Sequence, residues 1–298
     1  MKKIPAFLKK RDTVAIIASA RSTKPEEMQP AVDILKNWGL NPVQGPNLFA
    51  VHHQFAGSDE ERAADLQWAL DKPEIKAIIL ARGGYGTVRL IDRVHFNKFM
   101  EHPKWIVGYS DATILQSHLF NLGIASVHGT MAFQMNRDEE ATESLRKVLF
   151  GEKVEYEIES NALNRKGKTK GEIAGGNLSL IYALSGTASD IHTKDKILFI
   201  EDLDEQLYHI DRMMHQLKRS GKLKDLKGLI VGGMTEMKDN KVPFGKTAEE
   251  IIAEAVNEYN YPVCYNFSAG HIKRNLAFYI GKEAELEVNE KGAVLKYL

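Results

Sequence analysis

The sequence predicts an α/β protein in two parts, an N-terminal parallel-sheet α/β domain and a second, β-rich α/β C-terminal domain. Three observations predict it. Short apolar runs alternate with helical patterns through the first half, as strands and crossover helices do. Near residue 150 the register changes to alternating charged and apolar residues. The chain then ends in a series of β-like segments.

Val14–Ala18 reads as a buried strand, and Pro25–Trp38 as a helix with Pro near its start and Gly39 as its stop. Asn41–Val43 suits a second strand. Ser58 and Glu61 have capping-box spacing and open a helix to about Leu70. Glu74–Leu80 is β-rich and closes on Arg82-Gly83-Gly84-Tyr85-Gly86, with a helix expected from about Thr87. The strand Trp105–Val107 runs into Gly108-Tyr109-Ser110-Asp111, followed by a helix over Ala112–Asn121 and a strand over Ile124–Val127. Lys153–Ser160 alternates like a half-exposed strand. Asn161–Gly171 is polar and aperiodic and reads as a connection. Beyond it come a helix over Leu178–Leu184, a strand over Ile197–Ile200, a helix over Gln206–Ser220, a strand over Leu229–Val231, a helix over Thr247–Tyr259 and a strand over Val263–Phe267. Ala277–Ile280, Glu283–Val288 and Ala293–Tyr297 finish the chain as strands. The expected division is residues 1–155, a connection at 156–171, and 172–298.

The 298 residues suffice for two medium domains. Lys plus Arg and Asp plus Glu number 40 each, so the net charge is zero. Without a basic run there is no electrostatic footprint for nucleic acid or a membrane surface. No run approaches the ~18 apolar residues of a membrane-spanning helix. The basic N-terminus ahead of Val14–Ala18 superficially resembles a signal peptide, but that run is too short for an h-region and is expected to be the first strand. The single cysteine, Cys264, permits no intrachain disulfide and reads as a small buried hydrophobe. His and carboxylate positions show no metal-ligand spacing, so neither metal nor cofactor is expected.

Four segments could carry chemistry. Gly108-Tyr109-Ser110-Asp111-Ala112 has the layout of a nucleophile elbow: a strand, a sharp turn with Ser at its apex, and a helix, with small residues on either side. The N–H of Asp111 could then serve an oxyanion. The same residues also fit a plain βα turn with Ser110 as helix N-cap. The glycines of 83–86 suit a phosphate cradle, a loop supplying an oxyanion N–H, or a structural turn. Glu201, Asp202, Asp204 and Glu205 follow a buried strand, either as an acidic helix start or, at Glu201, as a functional group on a rigid strand end. His271 follows Ser268-Ala269-Gly270, where small residues permit close approach of another domain, though the same residues also fit a plain surface histidine. In chain order Ser110, Glu201 and His271 supply a nucleophile, an acid that orients an imidazole, and a base.

The sequence resembles the LD-carboxypeptidases (muramoyltetrapeptide carboxypeptidases), a serine peptidase family that also includes the microcin C immunity peptidases. The resemblance rests on Ala81-Arg82-Gly83-Gly84-Tyr85-Gly86, Pro103-Lys104 leading to Gly108-Tyr109-Ser110-Asp111-Ala112-Thr113, His128-Gly129, Gly175-Gly176-Asn177-Leu178, Glu201-Asp202 through Tyr208 to Asp211-Arg212, and Gly270-His271. It implies Ser110, Glu201 and His271 as catalytic triad and the N–H groups of Gly84 and Asp111 as oxyanion hole. Arg82, Tyr85 and Asn177 are the implied substrate-binding residues, with Arg82 the candidate cation for the substrate carboxylate. It further implies a homodimer, no metal, and release of D-alanine from murein tetrapeptides during cytoplasmic peptidoglycan recycling. The alternatives are a microcin C-type acyl-sulfamoyl adenylate amidase of the same family, a different Ser-His-Glu esterase or amidase, and a non-catalytic α/β binding protein.

Overall fold

A computed structural model describes residues 2–298. The chain forms two compact units, one holding the chain up to Lys153 together with Leu276–Tyr279, the other Val154–Asn275 with Ile280–Leu298.

In the first unit β1 (Thr13–Ile17), α1 (Pro25–Asn37), β2 (Asn41–Gln44), α2 (Asp59–Asp71), β3 (Ile75–Leu80), α3 (Asn97–Glu101), β4 (Trp105–Gly108), α4 (Thr113–Asn121), β5 (Ser126–His128) and α5 (Glu139–Phe150) follow one another. The sheet order, written with β11 (Phe278–Ile280) from late in the chain, is β11-β5-β4-β3-β1-β2. The ladders from β2 through β1, β3 and β4 to β5 are all parallel. Val14, Ala15, Ile16, Ile17, Ile78, Ile79, Ile106 and Val107 are fully buried. Such near-continuous apolar runs are what a sheet covered on both faces requires. Each Val or Ile buried this way contributes roughly 1.5–3 kcal/mol. Ser58 accepts from the N–H of Glu61, whose carboxylate accepts from the N–H of Ser58 at 2.7 Å, so the predicted capping box is formed.

The helix expected from Thr87 is instead two short 3₁₀ turns, Thr87–Arg89 and Ile91–Arg93, with α3 beginning only at Asn97. The N–H of Thr87 donates to Asp111 at 2.8 Å, and the turns close by local bonds such as Leu90 N–H to Thr87 O at 3.0 Å. The helix α5 has no counterpart among the sequence-predicted elements. Asp138 caps it through the N–H of Ala141, and Gly151 ends it in the left-handed region.

The second unit contains β6 (Glu155–Glu159), β7 (Gly167–Asn177), α6 (Leu178–Ala183), β8 (Lys196–Leu203), α7 (Leu207–Arg219), β9 (Gly228–Thr235), α8 (Ala248–Ala255), β10 (Val263–Cys264), β12 (Glu283–Asn289) and β13 (Gly292–Tyr297). Its sheet order is β10-β9-β8-β7-β12-β13-β6. The ladders from β10 to β7 are parallel, and those from β7 through β12 and β13 to β6 antiparallel. The sheet is therefore mixed rather than uniformly parallel.

Three expectations need correction here. Much of the predicted connection at 156–171 is strand, because β6 covers 155–159 and β7 starts at Gly167. The strand predicted over Ala277–Ile280 pairs with the first sheet, not the second. The strand predicted over Val263–Phe267 ends at Cys264, since Asn266 lies in the left-handed region. Cys264 is fully buried, and its thiol is pushed up to about 12 by burial, which leaves it unreactive.

Candidate active site

In the first unit, the loops after β1, β3 and β4 leave the carboxyl ends of three neighbouring parallel strands, where open α/β sheets place ligands. Ser110 sits two residues after the end of β4 with φ 60°, in the left-handed region that non-glycine residues rarely enter. That conformation distinguishes an elbow from a plain helix N-cap, which takes extended dihedrals. A Cβ at Gly108 would lie 2.8 Å from Cβ of Ala112, so both flanking residues must be small. Gln116 braces the turn, donating to Gly108 O at 2.9 Å and Val127 O at 2.8 Å.

The glycine-rich loop lies against this serine. A Cβ at Gly83 would sit 3.2 Å from Cβ and 3.3 Å from Oγ of Ser110. The loop is gripped at one peptide. Arg62 Nη1 donates to Gly86 O at 3.3 Å and to Ser19 O at 2.8 Å, while the N–H of Thr87 donates to Asp111 Oδ2 at 2.8 Å. The carbonyl and the N–H of the Gly86–Thr87 unit are thus held by a guanidinium and a carboxyl, both buried. Burial pushes the Asp111 carboxyl above its ordinary range, against the hydrogen bonds from Thr87 and Gly86 and the charge of Arg62. The Asp111 side chain and Arg62 were not anticipated from sequence. The available signal was an arginine on the apolar face of α2, beside Ala63, Leu66, Ala69 and Leu70, where a charge needs a partner.

The remaining predicted residues of this unit take distinct places. Tyr85 is exposed, its ring 6.1 Å from that of Phe55. Arg82 stacks over Phe133 at 4.4 Å, donates to Ser22 O at 3.3 Å and lies 3.9 Å from Glu27. Lys104, from the Pro103-Lys104 motif, is buried and donates to the carbonyls of Ala69, Leu70 and Lys72 at the end of α2. Burial lowers its ammonium to about 8.

In the second unit Glu201 belongs to β8 rather than to a segment after it, because the strand runs on to Leu203. The β8–β9 ladder slips between Ile200 and Asp202, at Glu201 itself. Such irregularities re-aim side chains next to active sites. Glu201 is fully buried. Its Oε2 accepts from Nδ1 of His271 at 2.7 Å and from the backbone N–H of His271 at 3.0 Å. The approach depends on Gly270, at φ 106°: a Cβ there would be 2.6 Å from Glu201 Oε2. Asn275 accepts the N–H of Gly270 at 2.8 Å, and Thr235 Oγ1 donates to His271 O at 3.0 Å, fixing the loop.

Burial pulls the His271 imidazole toward its neutral form. The hydrogen bond and charge of Glu201, with the charges of Asp202 and Glu236, more than offset this, and its pKa lies above the ordinary value. Asp202 is pushed up to about 6, first by burial and then by the charge of Glu201. Its oxygens accept from Asn177 Nδ2 at 2.9 Å and from the N–H of Ser179 at 2.8 Å. Asn177 also caps α6, accepting from the N–H of Leu180 at 3.3 Å. Glu205, the other candidate acid, pairs with Nδ1 of His209 one turn along α7. No group of three or more His, Cys, Asp or Glu side chains among the described residues is placed to hold a metal ion. No helix among them is long and apolar enough to cross a membrane.

Comparison with known proteins extends over both units. Residues 14–129 match the LD-carboxypeptidase N-terminal domain, and residues 170–286 the LD-carboxypeptidase C-terminal domain. The probable murein peptide carboxypeptidase of Bacillus subtilis is 36% identical over 299 residues, covering 98% of this chain and 94% of that protein. The crystal structure of muramoyltetrapeptide carboxypeptidase from Oxalobacter formigenes superposes with a TM-score of 0.88 at 27% identity, covering 96% of this chain and 98% of that one. An MccF-like protein from Bacillus anthracis superposes with a TM-score of 0.86 at 24% identity, covering 99% of each chain, a likeness of fold. With both domains of one family matched in order, and a relative of this identity spanning nearly the whole chain, the protein belongs to the LD-carboxypeptidase family of serine-type hydrolases.

Proposed function

We propose that this protein is a serine carboxypeptidase that hydrolyses an L,D-peptide bond, releasing the C-terminal D-alanine of murein tetrapeptides in peptidoglycan recycling. The observation that carries the reading is the pairing of the fully buried Glu201 with Nδ1 of His271. An imidazole that donates its Nδ1 proton to a carboxylate keeps its basic lone pair on Nε2. That is the form a general base must take. The elbow conformation of Ser110 and the names of the relatives support the same reading.

In the proposed reaction Ser110 Oγ attacks the scissile carbonyl carbon and His271 takes its proton. Glu201 stabilises the imidazolium that forms. The N–H groups of Gly84 and Asp111 hold the oxyanion. His271 then returns the proton to the departing amine of D-alanine, leaving an ester on Ser110. Water, deprotonated by His271, attacks that ester and releases the shortened peptide with a new carboxylate. The family resemblance also supports a cytoplasmic homodimer, which light scattering of the purified protein tests for assembly.

The direct test is mass spectrometry of a murein tetrapeptide before and after incubation with the protein. The expected product is the tripeptide with free D-alanine. An untouched tetrapeptide alongside cleavage of an acyl-sulfamoyl adenylate would move the assignment to the microcin-type amidases, and cleavage of a simple p-nitrophenyl ester alone would indicate a general esterase.

A further inference from the structure

A carboxypeptidase substrate carries a negative charge beside the bond it breaks. Only the amide nitrogen and one Cα separate the scissile carbonyl carbon from the terminal carboxylate, a reach of about 4 Å given the ~3.8 Å spacing of consecutive Cα atoms. A cation that recognises this carboxylate must therefore adjoin the nucleophile and its neighbouring loop.

The sheet order β4-β3-β1 brings three loops side by side: 109–112 with Ser110, the glycine-rich 82–86, and 18–22 with Arg21. Gly83 touches Ser110, as described. Gly84 touches Arg21: a Cβ at Gly84 would lie 2.7 Å from Cγ and Cδ of Arg21 and 2.8 Å from its Nε. The arginine stem thus crosses the glycine that borders the nucleophile. Its backbone is anchored, because Arg21 forms an antiparallel bridge with Phe55, Ser22 N–H donates to Gln54 O at 3.0 Å, and Ala56 N–H donates to Ala20 O at 3.0 Å.

The neighbouring arginines already have partners. Arg62 is buried in the Gly86 clamp, Arg89 is paired with Asp59 at 2.8 Å, and Arg82 is divided among Phe133, Ser22 and Glu27. Arg21 is exposed, and its guanidinium makes no ion pair or hydrogen bond with the described residues. A guanidinium presents a planar fork that matches a carboxylate bidentately. We propose that Arg21, rather than Arg82, binds the free α-carboxylate of the substrate's C-terminal residue and so restricts cleavage to the last peptide bond. This rests on the carboxypeptidase reading given above.

The test is steady-state kinetics of wild type, R21Q, R21K and R82Q on a murein tetrapeptide and on the same peptide with a C-terminal carboxamide. Wild type should favour the free acid. R21Q should lose on the order of 10- to 100-fold in kcat/KM on the acid, chiefly through KM, and little on the amide, so that the preference collapses. R21K should restore part of it, while R82Q should keep the acid-to-amide ratio whatever its rate. A full preference in R21Q, or its loss in R82Q, overturns the assignment while leaving the carboxypeptidase reading intact. A wild-type protein that turns over neither peptide defeats the functional reading itself and this inference with it.

Discussion

Ser110 and His271 are held by opposite means. The serine is set by backbone: a left-handed residue between a strand and a helix, with Gly108 and Ala112 in contact across the turn. The histidine is set by side chains: a buried carboxylate takes both its backbone N–H and its Nδ1 proton, and a glycine beside it lets that carboxylate approach. A steric device tolerates changes of charge but not of volume. An electrostatic device tolerates small changes of volume but not the loss of its charge. The two regions should therefore fail differently when perturbed.

The largest effect is expected at the serine itself. Ser110→Ala should lower kcat by on the order of 10⁴ to 10⁶ while peptide binding, measured by calorimetry, persists, because the loops around it are untouched. Turnover near wild type would remove the serine mechanism altogether.

Next in size is the electrostatic half. Glu201→Gln should cut kcat by on the order of 10² to 10⁴, since an amide cannot stabilise the imidazolium. Glu205→Gln should cost far less, because Glu205 is bound to His209 on α7 and not to His271. Reversal of that order in the two rate measurements would break the distinction between the acids.

Steric probes sharpen the contrast. Gly108→Ala places a methyl 2.8 Å from Cβ of Ala112, and Gly270→Ala places one 2.6 Å from the Glu201 carboxylate at a backbone angle that disfavours side chains. Each should destabilise by roughly 1–3 kcal/mol in urea unfolding. Gly270→Ala should also move the acid limb of the rate profile, because it displaces the charge that acts on His271, whereas Gly108→Ala should leave that limb in place. Identical pH profiles for the two variants would mean that the regions are not held by different means.

Much of this arrangement was legible in the sequence, and what was hidden had physical causes. Apolar strands bounded by glycine and a capping box declared the first sheet, since burial on both faces leaves no ambiguity of period. The start of β7 was concealed because its exposed positions are lysines in a glycine-rich stretch. Those lysines face acids across the ladder: Lys168 lies opposite Glu287 and Lys170 opposite Glu285. Lys296, opposite Glu285 on the other side, adds its charge, and hydrogen bonds from Lys296 and Lys168 hold the Glu285 carboxyl down to about 2. Pairing between distant segments, not local propensity, makes that strand. The same limit applies to β11, whose apolar run was visible but whose partner in the first sheet was not. Around the candidate site, residue types read at element ends singled out Ser110, Glu201 and His271; the structure puts Ser110 in a left-handed turn after β4 and pairs Glu201, inside β8, with His271. The clamp by Arg62 and Asp111 and the approach of Arg21 to Gly84 depend on which loops become neighbours, and no local pattern records that.

The smallest effect is the most diagnostic of the electrostatic half. In the proposed reaction His271 must act as a neutral base, and Glu201, Asp202 and Glu236 raise its pKa above the ordinary 6.5 despite burial. The rate should therefore fall as pH drops through a value above 6.5, a higher limb than an unassisted histidine would give. Stability carries the opposite sign. A group whose folded pKa is raised stabilises the native state fully below its unfolded pKa, and that contribution is lost as pH rises through the folded value. Between those two values, raising the pH should bring activity up while the contribution of His271 to stability declines. Removing the Glu201 charge should shift the rate limb to lower pH and flatten the stability change over the same window. Profiles of kcat/KM for wild type and Glu201→Gln, with urea unfolding at matched pH, measure both. A limb that stays in place when the charge is removed would show that Glu201 positions His271 without tuning it, and the electrostatic half would then be geometric like the serine turn.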